Sequence, residues 1–239
     1  MIIALDCDEV LLDYSGAARE FYLSEIDPTA EIPHGTYASR WPVWKGSVEE
    51  SKRQMLSFLA DFAQSERFMR MRPLDGAVEG VKDLRALGHK LSVLSAVSDD
   101  PMVTLRRTEV LGRIVGKDIF SDVVCVKPFT SKKEWLLKLD ADALVDDSTS
   151  NITQALQIGI YGLLNKCPSS APFIDAIYSG QNFAELHGDT NFQLIRDKAM
   201  VVNGWTGMGH TIGSSIDIIH RIKATVGTKR LYTLRSVRG

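Results

Sequence analysis

The chain has 239 residues and a formal net charge of −2 at pH 7, with 44% hydrophobic and 24% charged residues. This composition is typical of a folded globular protein and excludes collagen-like, coiled-coil and intrinsically disordered chains. Its longest apolar runs fall well short of the roughly 18 residues that a membrane-spanning helix needs, and acidic residues follow the first apolar run too early for a signal peptide. We therefore expect a cytoplasmic protein that does not bind a membrane.

Cysteine and histidine are placed in ways that argue against a zinc site. Cys7, Cys125 and Cys167 form no CxxC pair, and the five histidines form no His-x-x-x-His pair. These spacings predict free thiols and no disulfide framework, and zinc hydrolysis has no support.

The N-terminal part of the chain predicts one strand followed by a helical segment. The apolar run at residues 2–5 is typical of a strand buried on both faces of a parallel sheet, and it ends in acidic residues. Residues 17–26 are amphipathic, and a proline-containing loop follows. Ser47 and Glu50 form a capping box that opens a second helix. Residues 14–72 are therefore predicted to form a small helical cap inserted after the first strand.

Strands and helices then alternate. Helices are predicted from Gly76 to Gly88, at 100–111, at 131–139 with a Ser131/Glu134 capping box, and at 151–157; strands are predicted at 90–95, 122–126, 143–145 and 159–164. Such alternation indicates right-handed βαβ crossovers. The expected fold is α/β, a doubly wound (Rossmann-like) parallel sheet.

The C-terminal part shows no such alternation. Residues 192–202 and 212–224 have helical patterns, and they predict a C-terminal helical extension that packs on the sheet or forms a homodimer contact. We divide the chain into a core of residues 1–13 and 73–166, a cap of residues 14–72 and an extension of residues 167–239.

The extension ends in a basic segment. Residues 218–239 carry six basic side chains and no acidic one: Arg221, Lys223, Lys229, Arg230, Arg235 and Arg238. Basic segments bind phosphates or nucleic acid in some proteins. We favour a solvent-exposed or subunit-contacting face, and nucleic acid is not the expected partner.

Polar residues follow three of the predicted strands. Asp6 and Asp8 follow the first, Ser95 ends the second, and the doublet Asp146-Asp147 ends a later one. Since parallel strands end at the same edge of a sheet, these side chains are expected to converge where ligands bind. Closely spaced carboxylates repel each other unless a cation is present, and ligands that are all oxygen favour Mg²⁺.

These motifs resemble those of the haloacid dehalogenase-like superfamily. The segment from Leu5 to Leu11 is similar to its first motif, Ser95 to its second, and the segment from Ala143 to Asp147 to its fourth. The helical insert and residues 68–81 are similar to the 5'(3')-deoxyribonucleotidases within it. In contrast to the family pattern, Glu9 stands where glycine is usual.

The resemblance implies an Mg²⁺-dependent phosphatase that acts through an aspartyl-phosphate. Asp6 is then the nucleophile, and Asp8 protonates the leaving oxygen and later deprotonates water. Ser95 and the main-chain N–H of Ala96 hold a phosphate oxygen. The metal is held by the Asp6 carboxylate, the Asp8 carbonyl and Asp146 or Asp147. A small phosphorylated metabolite is the expected substrate, with nucleoside 5'-monophosphates as the candidate class.

The third motif of the superfamily is a lysine, for which the sequence offers three candidates. Lys127, Lys132 and Lys133 all precede the strand that ends in Asp146. Lys133 is the preferred choice and Lys132 the next.

The loop of the predicted cap is rich in aromatic residues. Trp41 and Trp44 are candidates for stacking on a nucleobase, with Tyr14, Phe21 and Tyr37 nearby. Packing inside the cap itself is the alternative and is slightly favoured. Arg40 and Lys45 flank the tryptophans and are candidates for the polar end of a substrate.

Two other classes of protein have related features. Receiver domains also gather acidic residues, a hydroxyl and a lysine on a parallel sheet, but they lack a helical insert. A catalytically silent binding or assembly protein of the same superfamily is a second alternative, against which the intact Asp6 and Asp8 pair argues.

Overall fold

The computed structural model describes residues 1–179 and 191–226. Six strands in these ranges form one sheet: β1 (Ile2–Leu5), β2 (Lys90–Ser95), β3 (Phe120–Cys125), β4 (Ala143–Asp146), β5 (Tyr161–Asn165) and β6 (Met200–Val202). The basic side chains predicted at 229–238 lie outside the described residues.

Helices connect and cover the strands. The described α-helices are α1 (Tyr14–Glu25), α2 (Val48–Gln64), α3 (Glu66–Met69), α4 (Ala77–Ala86), α5 (Pro101–Val115), α6 (Lys133–Lys138), α7 (Thr149–Gln157), α8 (Ala171–Ser179), α9 (Phe192–Lys198) and α10 (Ile212–Val226), and a 3₁₀ turn covers Ala38–Arg40. No helix in the described ranges is long and apolar enough to cross a membrane.

The strand order is β3-β2-β1-β4-β5-β6, and every pairing is parallel. The chain starts at a central strand and winds outward in both directions, which confirms the doubly wound sheet. Because β1 lies between β2 and β4, the residues that follow these three strands are neighbours at one edge.

The sheet is buried on both faces. Residues alternate along β1, so that Ile3 and Leu5 face a core formed with α4, α5 and α10, whereas Ala4 faces a core formed with α6, α7, α8 and α9. All three are fully buried. This two-sided burial explains the continuous apolar run at the N-terminus.

Residues 192–202 do not form the single helix predicted from their pattern. The helix α9 ends at Lys198 because Ala199 is extended, with φ −77° and ψ 142°. Met200–Val202 then pairs with β5 and becomes the edge strand of the sheet. The valines at 201 and 202 favour a pleated surface, and the ladder with β5 outweighs the helical periodicity.

The capping box predicted at Ser131 is also absent. The helix α6 begins at Lys133, and its N-cap residue Lys132 makes no side-chain cap bond; Ser131 Oγ accepts from the main-chain N–H of Lys133 at 3.3 Å, which is not the predicted box. Ser131 Oγ instead donates to Gln154 Oε1 at 2.9 Å, and the main-chain N–H of Lys132 donates to the same oxygen at 2.9 Å. A contact with α7 thus replaces the local cap. The box at Ser47 and Glu50 is confirmed.

Candidate active site

Three carboxylates converge beyond the carboxyl ends of β1 and β4. Asp6 follows β1, and its main-chain N–H donates to Val145 O at 2.8 Å. One oxygen from each of Asp6, Asp146 and Asp147 lies within 4.8 Å of the other two, and all three residues are buried. We call these residues the acidic trio.

Asp8 lies beside the acidic trio but turns its carboxylate elsewhere. Its Oδ2 accepts from Ser95 Oγ at 3.3 Å, and its Oδ1 and Oδ2 lie 2.8 and 3.1 Å from Nη2 of Arg107. The side chain of Asp8 is therefore not part of the trio, although its position two residues after Asp6 keeps its main chain next to it.

The lysine at this site is Lys132, whereas the sequence favoured Lys133. Lys132 is fully buried, and its Nζ lies 2.9 Å from Asp6 Oδ1 and 2.7 Å from Asp146 Oδ2. Lys133 is partly exposed. Lys127 is exposed and pairs with Asp99 at 3.3 Å. Since Gln154 holds the main chain at Lys132 ahead of the first turn of α6, the side chain of Lys132 reaches the trio and that of Lys133 does not.

Burial and crowding shift the pKa values of the trio. Burial, together with Asp146, raises the pKa of Asp6 to about 7 against the opposing effect of Lys132. Burial, followed by the charge of Asp146, raises the pKa of Asp147 well above its usual range. Burial lowers the pKa of Lys132, but the charges of Asp146 and Asp6 outweigh it, so the pKa lies above its ordinary value. When ionised, three carboxylates against one ammonium give this site an unbalanced negative charge, which adds to burial in raising the pKa values of Asp6 and Asp147.

Further side chains fix the trio in place. Asn151 at the start of α7 donates to Asp146 Oδ1 at 3.0 Å, and Tyr37 of the cap loop donates to Asp147 Oδ2 at 2.7 Å. A hydrogen bond to a carboxylate holds its orientation and stabilises its charged form. One of these contacts comes from the core and the other from the predicted cap.

A cleft of about 750 Å³ opens over Asp6 and Asp147. Its lining combines the site with Tyr14, Tyr37, Arg40, Met55, Leu59, Ala96, Val97, Phe129 and Phe173. The Arg40 guanidinium lies 3.8 Å from the centre of the Phe173 ring, and Phe129 is 70% exposed. The cleft is thus lined by apolar and aromatic groups above a charged floor.

Trp41 and Trp44 do not line this cleft. Trp41 is buried, its ring stacks on that of Trp44 with centroids 6.0 Å apart, and both rings contact Phe58 of α2. Their indole N–H groups donate to Thr36 O and Ala38 O. The tryptophans pack inside the cap, which is the alternative that the sequence favoured over base stacking.

Three further candidates from the predicted cap, Phe21, Arg40 and Lys45, differ in where their side chains lie. Phe21 packs against Phe58 and Phe62, and Lys45 Nζ donates to Pro42 O at an exposed position. Of the two basic residues, only Arg40 lines the cleft.

Sequence reasoning missed Arg107, Asn151, Gln154, Phe129 and Phe173. Arg107 carried a readable signal, because it lies on the apolar face of α5 at helical spacing from Val103 and Leu111, where a charged residue is unusual. The cleft aromatics carried none, since each lies in a loop or short helix whose orientation depends on distant parts of the chain.

Glu9 occupies a position that favours glycine. Its φ is 59°, in the left-handed region that side chains rarely adopt. Its carboxylate is buried and accepts from the main-chain N–H of Ser15 at 2.8 Å, and Asn165 Nδ2 donates to its carbonyl at 2.8 Å. Burial raises the pKa of Glu9 to about 7. These bonds hold the strained backbone that glycine would adopt freely.

Comparison with known families agrees with this geometry. The model of the family described as 5' nucleotidase, deoxy (pyrimidine), cytosolic type C matches residues 1–185, more than three quarters of the chain. The chain belongs to this family. It is accordingly a phosphatase of the haloacid dehalogenase-like type, and the resemblance noted from the sequence is confirmed. No curated protein matches the chain.

Solved structures share the fold at low identity. A phosphonoacetaldehyde hydrolase-like protein from Oleispira antarctica aligns with a TM-score of 0.56 at 14% identity, covering 95% of each chain. A predicted phosphatase from Clostridium acetobutylicum aligns with a TM-score of 0.54 at 13% identity, covering 93% of this chain and 98% of the other. A haloacid dehalogenase-like hydrolase from Streptococcus pneumoniae aligns with a TM-score of 0.53 at 12% identity, covering 72% of this chain and 87% of the other. These likenesses concern the fold.

Proposed function

We propose that this nucleotidase-family chain hydrolyses phosphate monoesters through a phosphorylated Asp6, with Mg²⁺ at the acidic trio and nucleoside 5'-monophosphates as substrates. The observation that carries the proposal is the acidic trio, which contacts Lys132 and opens to the cleft through Asp6 and Asp147. Beside it lies a carboxylate, Asp8, that Arg107 holds apart from the trio. Nucleophile and acid–base group thus have separate environments.

The residues of the trio fit a magnesium ion. They offer oxygen ligands only, which Mg²⁺ prefers. When all three carboxyls are ionised, one lysine leaves two uncompensated negative charges, which a divalent cation balances. Asp6, Asp146 and Asp147, with the Asp8 carbonyl, would hold the ion. When bound, it supplies positive charge to the phosphate oxygens and orients them.

In the first step, an oxygen of Asp6 forms a bond to phosphorus while the phosphorus–oxygen bond to the leaving group breaks. The electron pair stays on the leaving oxygen, which takes a proton from the carboxyl group of Asp8. Burial raises the pKa of Asp8 and outweighs the opposing charge of Arg107. The raised pKa favours the protonated carboxyl that a general acid needs. Ser95, the Ala96 N–H and the ammonium of Lys132 stabilise the phosphoryl oxygens.

In the second step, water attacks phosphorus and gives its proton to the Asp8 carboxylate. The bond from phosphorus to Asp6 breaks, and inorganic phosphate leaves. Asp8 is then protonated again and Asp6 is a free carboxylate, so each turnover consumes one ester and one water.

The size and lining of the cleft support a nucleotide substrate. A volume of about 750 Å³ lies within the range of roughly 300–1,000 Å³ for small-molecule sites. Phe129, which is largely exposed, offers an aromatic face for a base, whereas Phe173 stacks on Tyr37 and carries the Arg40 guanidinium. The name of the matching family concerns deoxynucleotides with pyrimidine bases, which selects thymidine and deoxyuridine monophosphates as the first to test.

The proposal is tested by measuring phosphate release from deoxynucleoside monophosphates, sugar phosphates and p-nitrophenyl phosphate, with Mg²⁺ and with EDTA. We expect the pyrimidine deoxynucleotides to be preferred, EDTA to abolish activity, and Asp6→Asn to lose at least about 10³-fold in kcat. Acid-quenched mass spectrometry is expected to detect a phosphoryl adduct on the wild type only.

Asp83→Asn is the matched control, since Asp83 is an exposed aspartate on α4. It should leave both activity and adduct unchanged. Equal activity in the Asp6→Asn variant would eliminate the proposed nucleophile. A preference for sugar phosphates would leave the proposed mechanism intact and contradict the proposed nucleotide substrates.

A further inference from the structure

A fully buried arginine contacts the proposed acid–base residue. Arg107 projects from α5, and its Nη2 lies within 2.8 and 3.1 Å of the two oxygens of Asp8. The side chain of Arg107 has no solvent exposure, whereas that of Asp8 is 20% exposed and lines the cleft. The pair thus runs from the interior to the floor of the site.

The rest of the guanidinium group, Nε and Nη1, makes no hydrogen bond to the described residues. The rings of Phe68 and Tyr14 flank it instead, with centroids 4.8 and 5.7 Å from its central carbon. Both rings belong to the predicted cap segment. Arg107 is therefore packed between apolar groups of the cap, and its polar contact is directed at Asp8.

Stability alone is a poor reason for such a pair. Removing a guanidinium from water costs several kcal/mol, and a buried ion pair is often no more stable than apolar residues of the same volume. An apolar residue among Phe68 and Tyr14 would be the simpler packing solution, so a function at Asp8 explains the arginine better.

The position of the Asp8 carboxylate shows what that function is. Asp8 lies two residues after Asp6 and lines the same cleft as Asp6 and Asp147. With no competing contact, a fourth carboxylate there would be drawn to any cation that the trio binds. Arg107 and Ser95 attract Asp8 to the β2 side of the site instead.

We infer that Arg107 is a positioning residue that keeps the Asp8 carboxylate away from the acidic trio and directed at the leaving-group oxygen. The inference rests on the proposed function. Arg107 lies on α5, outside the strand-end motifs. It would separate the acid–base carboxylate from the carboxylates proposed to bind the metal.

The consequence is a dependence on the leaving group. Benzyl phosphate must release an alkoxide, which needs a proton from Asp8, whereas p-nitrophenyl phosphate releases a phenolate that is stable without one. A displaced Asp8 therefore slows cleavage of the first ester and spares the second. A general collapse of the cleft would slow both equally, because the two esters are similar in size.

The test is the single-turnover rate of alcohol or phenol release from both esters, with Mg²⁺ present, for the wild type, Arg107→Gln and Arg107→Lys. For Arg107→Gln we expect a loss of about 10²-fold or more with benzyl phosphate, within the range for general acid catalysis, and about threefold or less with p-nitrophenyl phosphate. Arg107→Lys, which keeps the charge, should cleave benzyl phosphate at least about tenfold faster than Arg107→Gln does. Arg113→Gln, an exposed arginine on the same helix, is the control and should match the wild type.

A double-mutant cycle shows whether Arg107 acts through Asp8. In the Asp8→Asn background, Arg107→Gln should no longer change the ratio of the two rates. If Arg107→Gln alone does not fold, the cycle is run with Arg107→Lys as the single substitution and Arg107→Lys with Asp8→Asn as the double variant.

Equal losses with the two esters, or a ratio effect that persists without Asp8, would overturn the inference while leaving the proposed function intact. A wild-type chain that cleaves neither ester nor any nucleotide would overturn the proposed function, and the inference with it.

Discussion

Two adjacent lysines, Lys132 and Lys133, differ completely in their surroundings. Lys132 is buried between Asp6 and Asp146, whereas Lys133 is partly exposed. Only one of the two neutralises negative charge where phosphoryl transfer is proposed. A substitution at one of these positions is therefore expected to affect catalysis, and the same substitution at the other is its natural control.

We predict that Lys132→Met lowers kcat/KM by at least about 10³-fold, because phosphoryl transfer depends on positive charge at the phosphate oxygens. Lys133→Met should stay within about threefold of the wild type. Phosphate release from a deoxynucleotide, with melting curves to verify folding, provides the measurement. An inactive Lys133→Met variant together with an active Lys132→Met variant would identify Lys133, which the sequence favoured, as the active-site lysine.

At the scale of elements, the turn that joins β3 to α6 stores strain at the mouth of the cleft. The N–H of Thr130 donates to Lys127 O at 3.1 Å, with Pro128 at the second position and Phe129 at the third. Phe129 has φ 65°, which favours glycine, and its ring is largely exposed. Strained residues cluster at functional sites, and Phe129 lines the cleft. We therefore expect its ring to contact the substrate.

We predict that Phe129→Gly and Phe129→Ala both raise KM for thymidine monophosphate severalfold, because both remove the aromatic face. Phe129→Gly should be more stable than Phe129→Ala by about 1 kcal/mol, since glycine adopts a positive φ without strain. Urea unfolding and steady-state kinetics measure the two effects. Equal stabilities would show that the turn is not strained, and an unchanged KM would exclude Phe129 from the substrate site.

At the scale of the whole molecule, buried carboxyls make the stability depend on pH. Burial raises the pKa of Asp6 and of Glu9 to about 7, and raises the pKa values of Asp8 and Asp147. The folded chain therefore binds more protons than the unfolded chain between their ordinary values and about 7, and it loses stability as the pH rises through that window. Burial lowers the pKa of His89, whose effect is opposite in sign but comes from a single group.

We predict that, in EDTA, the chain is less stable at pH 8 than at pH 5 by on the order of 2 kcal/mol, which lowers the melting temperature by roughly 4–8 °C for a chain of this size. Mg²⁺ should restore most of the loss at pH 8, since it binds the ionised carboxylates, and little at pH 5. Asp147→Asn should weaken the response to Mg²⁺. A melting temperature that rises from pH 5 to pH 8 in EDTA would contradict the role of these carboxyls.

The homodimer contact expected of the C-terminal part stays a prediction at this scale. In the described residues, α10 packs on the sheet through Ile212, Ile216 and Ile219. This burial uses the apolar face on which the helix was recognised, so a dimer would need another surface.

The sequence alone determined the alternating α/β architecture and the convergence of Asp6, Asp146 and Asp147. Both follow from local rules, because apolar periodicity sets each element and parallel strands end at one edge. The same local rules failed at residues 192–202, where an extended Ala199 and pairing with β5 decided the conformation.

Only the tertiary structure decided which lysine reaches the trio, that Arg107 holds Asp8, and that Phe129 and Phe173 rather than the tryptophans line the cleft. Each of these depends on the approach of segments far apart in the chain, such as Gln154 to Lys132 or Phe68 to Arg107. A side chain's direction changes by about 100° from one helical residue to the next, so packing between elements determines which residue faces the site.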